Sequence, residues 1–379
     1  MLNRLTLWVC FAACFAVLSG CGANTRVGAG SSTPTQVADV YVAGVQRDAN
    51  GRDFAVYWKN GVPAFLPDQN LGSMASGIAV SGQDVYVSGT VNNGTEGVAT
   101  YWKNGVAFPL TDGSKNAAAT SIFVAGGDVY VAGFEFKGQG PGYPVAEYWK
   151  DGVAVDLTDG SEPAEAWSIF VSGSDIYVAG AEEQTTQTGP SNFVVNNVAK
   201  YWKNGTPVAL TDGLEDAHAY SIFVSGSDVY IAGDYCKDMV PNCAIAADWK
   251  NGTLLPLTDK TDTAASSIFV SGADVYVTGN DGGTATSNPT IVHLWKNGVD
   301  RQLPLSGQAI GAASNQVVVS GGDVYVVGGE DFGGVPQRGM AVYWKDGVEI
   351  PVSDADSLSG PTFASGRAIA VVPPVAGQN

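Results

Sequence analysis

Two runs of sequence decide the fold: Ser168-Ile-Phe-Val-Ser-Gly-Ser-Asp-Ile-Tyr-Val-Ala-Gly180 and Val198-Ala-Lys-Tyr-Trp-Lys-Asn-Gly-Thr-Pro-Val-Ala-Leu-Thr-Asp-Gly213. Ser168 to Val171 reads as a short apolar strand, and Ser172 to Asp175 turns the chain. Ile176 to Val178 is a second strand, ended by Gly180. Val198 to Lys203 is a third strand. Asn204-Gly205 is a type I′ hairpin signal, because both central residues need positive φ. Pro207 to Leu210 is a fourth strand, stopped at Thr211-Asp-Gly213. Tyr201 and Trp202 are adjacent, so their side chains point to opposite faces and both faces of the sheet must be covered.

The same unit recurs. Trp-Lys-(Asn/Asp)-Gly occurs at Trp58, Trp102, Trp149, Trp202, Trp249, Trp295 and Trp344, with a period of about 48 residues, in the range of four-stranded propeller blades. Asp-(Val/Ile)-Tyr-(Val/Ile)-x-Gly begins at Asp39, Asp84, Asp128, Asp175, Asp228, Asp274 and Asp323. Seven of each predict an all-β chain, a seven-bladed β-propeller with four antiparallel strands per blade. Each sheet is then sandwiched between two others, which covers both faces. The repeat starts in mid-blade at Val37, without a first strand. Ala368 to Val372 matches the first-strand segment Gly77 to Val80, so the C-terminus is expected to supply the innermost strand of the N-terminal blade and remove the open edges. The propeller is bounded at 37–372, with a tail at 373–379. The chain resembles bacterial β-propeller repeat proteins; the kelch Gly-Gly doublet and the Gly-His and Trp-Asp signatures of WD repeats are missing.

Residues 1–20 read as an export signal. Arg4 gives a positive n-region, and Leu5 to Leu18 is an apolar run of about 14 residues, short of the about 20 that span a bilayer. Leu18-Ser19-Gly20-Cys21 resembles the lipobox of bacterial lipoproteins, which implies cleavage before Cys21 and its acylation. Residues 21–36 form a Gly-, Ser- and Thr-rich tether with a reach of about 20 Å. Cys236 and Cys243 remain, and in an oxidising compartment they are expected to form a disulfide. Gly22 is not aspartate, which by the sorting rule of Gram-negative lipoproteins favours the outer membrane over inner-membrane retention. The membrane partner is therefore a lipid anchor, and the propeller is expected to be monomeric.

Catalytic constellations are sparse. The chain has only two histidines, His218 and His293, and lacks His-x-x-His, Cys-x-x-Cys and Gly-x-Ser-x-Gly. Gly279 to Gly283 follow a strand but precede no helix, unlike a phosphate-cradling loop. A formal charge of -18 is the wrong sign for nucleic acid. No cofactor is implied. The aspartate opening each second strand suits a turn, accepting backbone N–H bonds. The aspartates after the fourth strands (Asp68, Asp112, Asp159, Asp212, Asp259, Asp354) read as turn caps, with Ca²⁺ the sharper alternative; Asp354 and Asp356 come nearest to a calcium loop.

Departures from the repeat point to a site. Loops joining second to third and fourth to first strands share one face and vary most, as functional loops on a rigid scaffold do. The residue before each innermost strand reads Ser76, Thr120, Trp167, Tyr220, Ser266, Asn315 and Arg367. Two residues earlier the series is Met74, Ala118, Glu165, His218, Ala264, Ala313 and Ser365. Glu165, Trp167, His218 and Tyr220 thus meet at one mouth of the central channel, as a channel plug, as a binding site for a sugar, peptide or basic side chain, or as an acid–base pair. Three functions follow: a non-catalytic envelope protein binding a macromolecule through the loop face, a lectin-like propeller binding a glycan, or a hydrolase or lyase.

Overall fold

The computed structural model describes residues 37–68, 71–138, 142–187, 193–237, 243–282, 290–334, 337–353 and 363–374. The signal segment 1–20, Cys21, the tether, Asp354, Asp356 and most of the C-terminal tail lie outside them. Contacts separate Met1–Gln36 from Val37–Asn379, and the fold is that of the second unit. Its strands run from β1 (Asp39–Arg47) to β28 (Phe363–Val372) and form seven four-stranded antiparallel sheets arranged as a propeller. The first blade has the order β28-β1-β2-β3, so the C-terminal strand is the innermost strand beside the N-terminal one, as the sequence predicts.

The tryptophans explain why the blades stack. The buried core divides into seven clusters, one across each blade junction, and each contains one Trp of the repeat. Trp202 packs back on Tyr130, Tyr148 and Leu157 of the preceding blade, while its neighbour Tyr201 packs forward toward Trp249. Both faces of the third strand are thereby covered. The indole N–H of Trp102 donates to the Pro67 carbonyl at 3.1 Å, and that of Trp344 to Pro304 at 2.7 Å. Removing one such buried ring costs about 3–5 kcal/mol in comparable cores.

The innermost strands are longer than the sequence predicts. In the fourth blade, β12 is Ala164–Ser172, β13 is Asp175–Gln187, β14 is Phe193–Lys203 and β15 is Thr206–Ala209. Trp167 therefore lies within its strand, at a register shift between Ala166 and Ser168. Nor does Gly180 end the second strand. It faces the bulge, where an added Cβ would sit 2.0 Å from the Glu165 carbonyl oxygen. Six other motif glycines occupy the equivalent place, at Gly44, Gly89, Gly133, Gly233, Gly279 and Gly328. Only a residue without Cβ lets the bulged backbone approach so closely.

The second-strand aspartates have other partners than expected. Asn204, at φ 51° in its hairpin, accepts the Ile176 backbone N–H on its side-chain oxygen and donates its amide to Asp175. Asp175 also pairs with Lys203 at 2.8 Å, and the Lys203 ammonium lies 5.1 Å from the Tyr177 ring centroid. The hairpin side chain thus takes the backbone bond, freeing the aspartate for the lysine. All seven blades carry this Lys–Asp pair, at 2.6–2.9 Å.

The lysines, joined by a hairpin asparagine amide in five of the blades, hold the seven carboxylates below their ordinary value of 3.8. A carboxylate with a depressed folded-state pKa stabilises above its unfolded value and loses that contribution as pH falls through the folded one. The urea midpoint is expected to fall as pH drops below the ordinary carboxylate value of 3.8, more steeply for the native chain than for an Asp84→Asn/Asp128→Asn variant. Identical slopes would remove the lysine clasps from the explanation.

Cys236 and Cys243 form a disulfide with Cα atoms 4.9 Å apart. It ties the end of β17 (Asp228–Cys236) to the start of β18 (Ala244–Lys250) on the loop face. Closing so short a loop contributes about 2 kcal/mol in the chain-entropy model.

Candidate functional site

The seven bulges shape the channel. Each register shift skips one residue, and the skipped residues are Ser76, Thr120, Trp167, Tyr220, Ser266, Asn315 and Arg367. All seven line the central cavity. Some lock neighbouring blades. Thr120 donates its hydroxyl to the Ala166 carbonyl at 2.8 Å, Ser266 to Ser314 at 2.9 Å, and Asn315 its amide to Gly366 at 2.7 Å. Trp167 and Tyr220, in consecutive blades, are too large for this role and stand toward the loop face.

The predicted quartet is one cluster. The Trp167 indole N–H donates to the Glu165 carboxylate at 3.0 Å. The Trp167 ring lies 5.7 Å from the His218 ring and 5.1 Å from that of Tyr220. His218 and Tyr220 stack at 5.5 Å with a 12° interplanar angle. Glu165, Trp167 and His218 border a cleft of about 210 Å³ together with Pro144, Pro163 and Asn197.

Sequence reasoning missed the residue that binds the cluster together. Asp234, on β17, is paired across from His218 on β16 (Ala217–Ser225). One of its oxygens faces His218 Nδ1 at 2.9 Å and the other accepts the Tyr220 hydroxyl at 3.1 Å. Asp234 is buried. A signal was present: the residue after the motif glycine is Val45, Thr90, Phe134, Ala181, Asp234, Asn280 and Gly329, and only one of these is acidic. Asp216 is a second omission, 3.9 Å from His218 Nε2 and accepting the Asn197 backbone N–H at 2.8 Å.

Burial works against the His218 imidazolium, but the hydrogen bond and charge of Asp234, with Asp216 and Glu165 adding, raise its pKa above the ordinary 6.5. Burial and then the Asp234 charge push the Tyr220 hydroxyl upward, keeping it a neutral donor. A raised histidine pKa stabilises the fold below the unfolded value and loses that contribution as pH rises through the folded one. The His218 ring is therefore expected to titrate above 6.5 by NMR, and lower in Asp234→Asn than in the native chain. A native midpoint at or below 6.5 would contradict the pairing.

His218 and Asp234 resemble the base and orienting acid of a nucleophilic site, but among the described residues no serine, threonine or cysteine is hydrogen-bonded to the ring. His293 is separate, buried on Trp295 and paired with Asp300 at 2.8 Å. Among the described residues no three His, Cys, Asp or Glu side chains are grouped to hold a metal ion. Asp112, Asp159 and Asp212 cap turns by accepting the N–H of Ser114, Ser161 and Leu214. Asp68 is buried beside Arg52 and Ser73.

No protein-family model and no curated protein matches the chain. Solved structures share its fold. The β-propeller domain of the Trilobed protease from Pyrococcus furiosus is 12% identical with a TM-score of 0.51, over 85% of this chain and 97% of that one. That propeller is described as having an open velcro topology, whereas here β28 closes on β1. The acylaminoacyl peptidase of Pyrococcus horikoshii is 14% identical with a TM-score of 0.50, over 86% of this chain and 54% of that one. This chain thus spans about half the length of that peptidase.

Proposed function

We propose that this seven-bladed propeller is a lipid-anchored cell-envelope protein that binds a macromolecular partner through its loop face, at the channel mouth formed by the fourth and fifth blades. The observation carrying this reading is the aromatic and acidic cluster of Glu165, Trp167, His218, Tyr220 and Asp234. Three carboxylates, Glu165, Asp216 and Asp234, surround the single imidazole of His218, so the mouth is acidic and suited to a basic side chain presented against aromatic rings. Apolar residues surround it on the same face: Tyr143 is 50% exposed, Phe193 60% and Val195 56%. Phe193 and Val195 alternate along β14, so both lie on one face of a hairpin that extends beyond the blade. Such a protruding apolar strip favours a protein partner over a small ligand.

The anchoring part rests on the lipobox resemblance at Cys21, with the tether holding the propeller off an outer membrane. No helix of the described residues is long and apolar enough to cross a membrane. The test is crosslinking of the tagged protein in its native envelope, compared with a variant carrying Ala at 165, 167, 218 and 220. A specific partner captured by the native chain and lost from the folded variant is the expected result. Equal capture by both would return the quartet to the role of a channel plug. A glycan reading is favoured instead if the native chain binds an oligosaccharide and Trp167→Ala does not.

A further inference from the structure

Across the channel from the aromatic pair lies a cation that, among the described residues, has no ion-pair partner in contact. Arg367 is the skipped residue of β28, and it is the one charged side chain among those lining the central cavity. Among the described residues its guanidinium makes no hydrogen bond or ion pair. The protein packed around the channel lowers its pKa by desolvation, opposed by the charge of Asp53. That carboxylate is itself held by Arg47 through two hydrogen bonds, at 2.7 and 2.9 Å. The guanidinium reaches the water of the channel while protein surrounds it. Arg367 is exposed to the channel water, so an anion that enters the channel can reach its guanidinium directly.

The channel wall opposite offers donors. Ser121, Ser168, Ser221 and Ser267 line the same cavity. Each accepts, on its hydroxyl oxygen, the backbone N–H of the next blade, from Ile169, Ile222, Ile268 and Val317 at 3.2–3.4 Å. Among the described residues no acceptor takes their hydroxyl protons. A hydroxyl that accepts one N–H still carries a rotatable O–H, which is available to an acceptor in the cavity. The wall therefore presents O–H donors, with a guanidinium on one side and no carboxylate. The cavity measures about 120 Å³, room for about four waters or one small oxyanion at about 30 Å³ per water.

We infer that the central channel is a binding site for a small oxyanion of the carboxylate or phosphate kind, held by the Arg367 guanidinium and by the hydroxyls of the inter-blade serines. Trp167 and Tyr220 line the same cavity, but the cation is on the first blade and outside the quartet, so Arg367→Gln tests the anion site without changing the loop-face cluster. The chain is acidic overall, and among the described residues that line the cavity the one charge is this cation.

Titration calorimetry of the full chain with formate, acetate and inorganic phosphate, at constant ionic strength, tests the site and separates carboxylate from phosphate. Saturable binding of at least one ion, weakened about tenfold or more in folded Arg367→Gln, is expected for loss of a charge-assisted contact. Absence of saturable binding, or equal binding by the variant, overturns the proposal. Crystals of the native chain soaked in bromide need no variant. An anomalous peak in contact with the guanidinium supports the site, and a channel holding only water contradicts it.

Discussion

Deleting β28, Phe363–Val372, is expected to abolish cooperative folding of the whole propeller. The strand pairs with β1 over nine residue pairs, from Asp39 opposite Val372 to Arg47 opposite Phe363. It buries Ala364, Ala368 and Ile369 almost completely and places Ala364 and Ile369 in the core between the last blade and the first. Ala368 joins the cluster between the first and second blades. Its loss therefore opens two junctions and leaves β1 with an unpaired inner edge. Each paired residue contributes about 1 kcal/mol through its hydrogen bond, and a buried isoleucine about 1.5–3 kcal/mol. The sum is comparable with the whole stability of a domain, about 5–15 kcal/mol. Thermal unfolding followed by circular dichroism is expected to show no cooperative transition in the truncated chain, with aggregation through the exposed edge. A sharp transition close to that of the native chain would contradict closure by this strand.

The second large effect is expected from Gly233→Ala. An added Cβ would lie 1.9 Å from the His218 carbonyl oxygen and 2.9 Å from its carbon, both backbone atoms that no side-chain rotation can clear. Either the bulge at Tyr220 flattens or the two strands separate. We expect a loss of about 3 kcal/mol or more, at the upper end of overpacking. Flattening would also turn Tyr220 away from the channel and move His218 from Asp234, so the His218 titration should shift downward together with the loss of stability. Gly205→Ala is a fitting comparison, since its Cβ meets no atom within 4 Å. It strains only the backbone at φ 81°. Equal destabilisation by the two substitutions would mean that the clash at the bulge is not what the motif glycine avoids.

The blades, their number and the closure were legible because each depends on local signals: strand residues, an Asn-Gly hairpin and a tryptophan recurring at a fixed spacing. The quartet was legible because counting from one repeat to the next puts equivalent residues at equivalent heights. The bulges were not. A register shift is a relation between two strands, and the glycine that permits it looks in the sequence like a strand terminator. The lysine clasps were hidden for a similar reason: Asp175 and Asn204 are 29 residues apart and meet only when their strands pair. Asp234 escaped because it belongs to the second strand, while the mouth was sought on the first. Arg367 was visible as the odd member of its series, but that its guanidinium faces the channel without an ion-pair partner among the described residues appears only once the channel is closed.

Photo-crosslinking by position tests the loop-face claim most directly. A photoreactive residue replaces Phe193, on the loop face, or Thr206, at the hairpin on the opposite face, and adducts are compared in the native envelope. The expected result is a discrete adduct from position 193 that disappears when 165, 167, 218 and 220 are alanine, with none from position 206. Adducts of equal yield from position 206, or from position 193 regardless of the quartet, would contradict it.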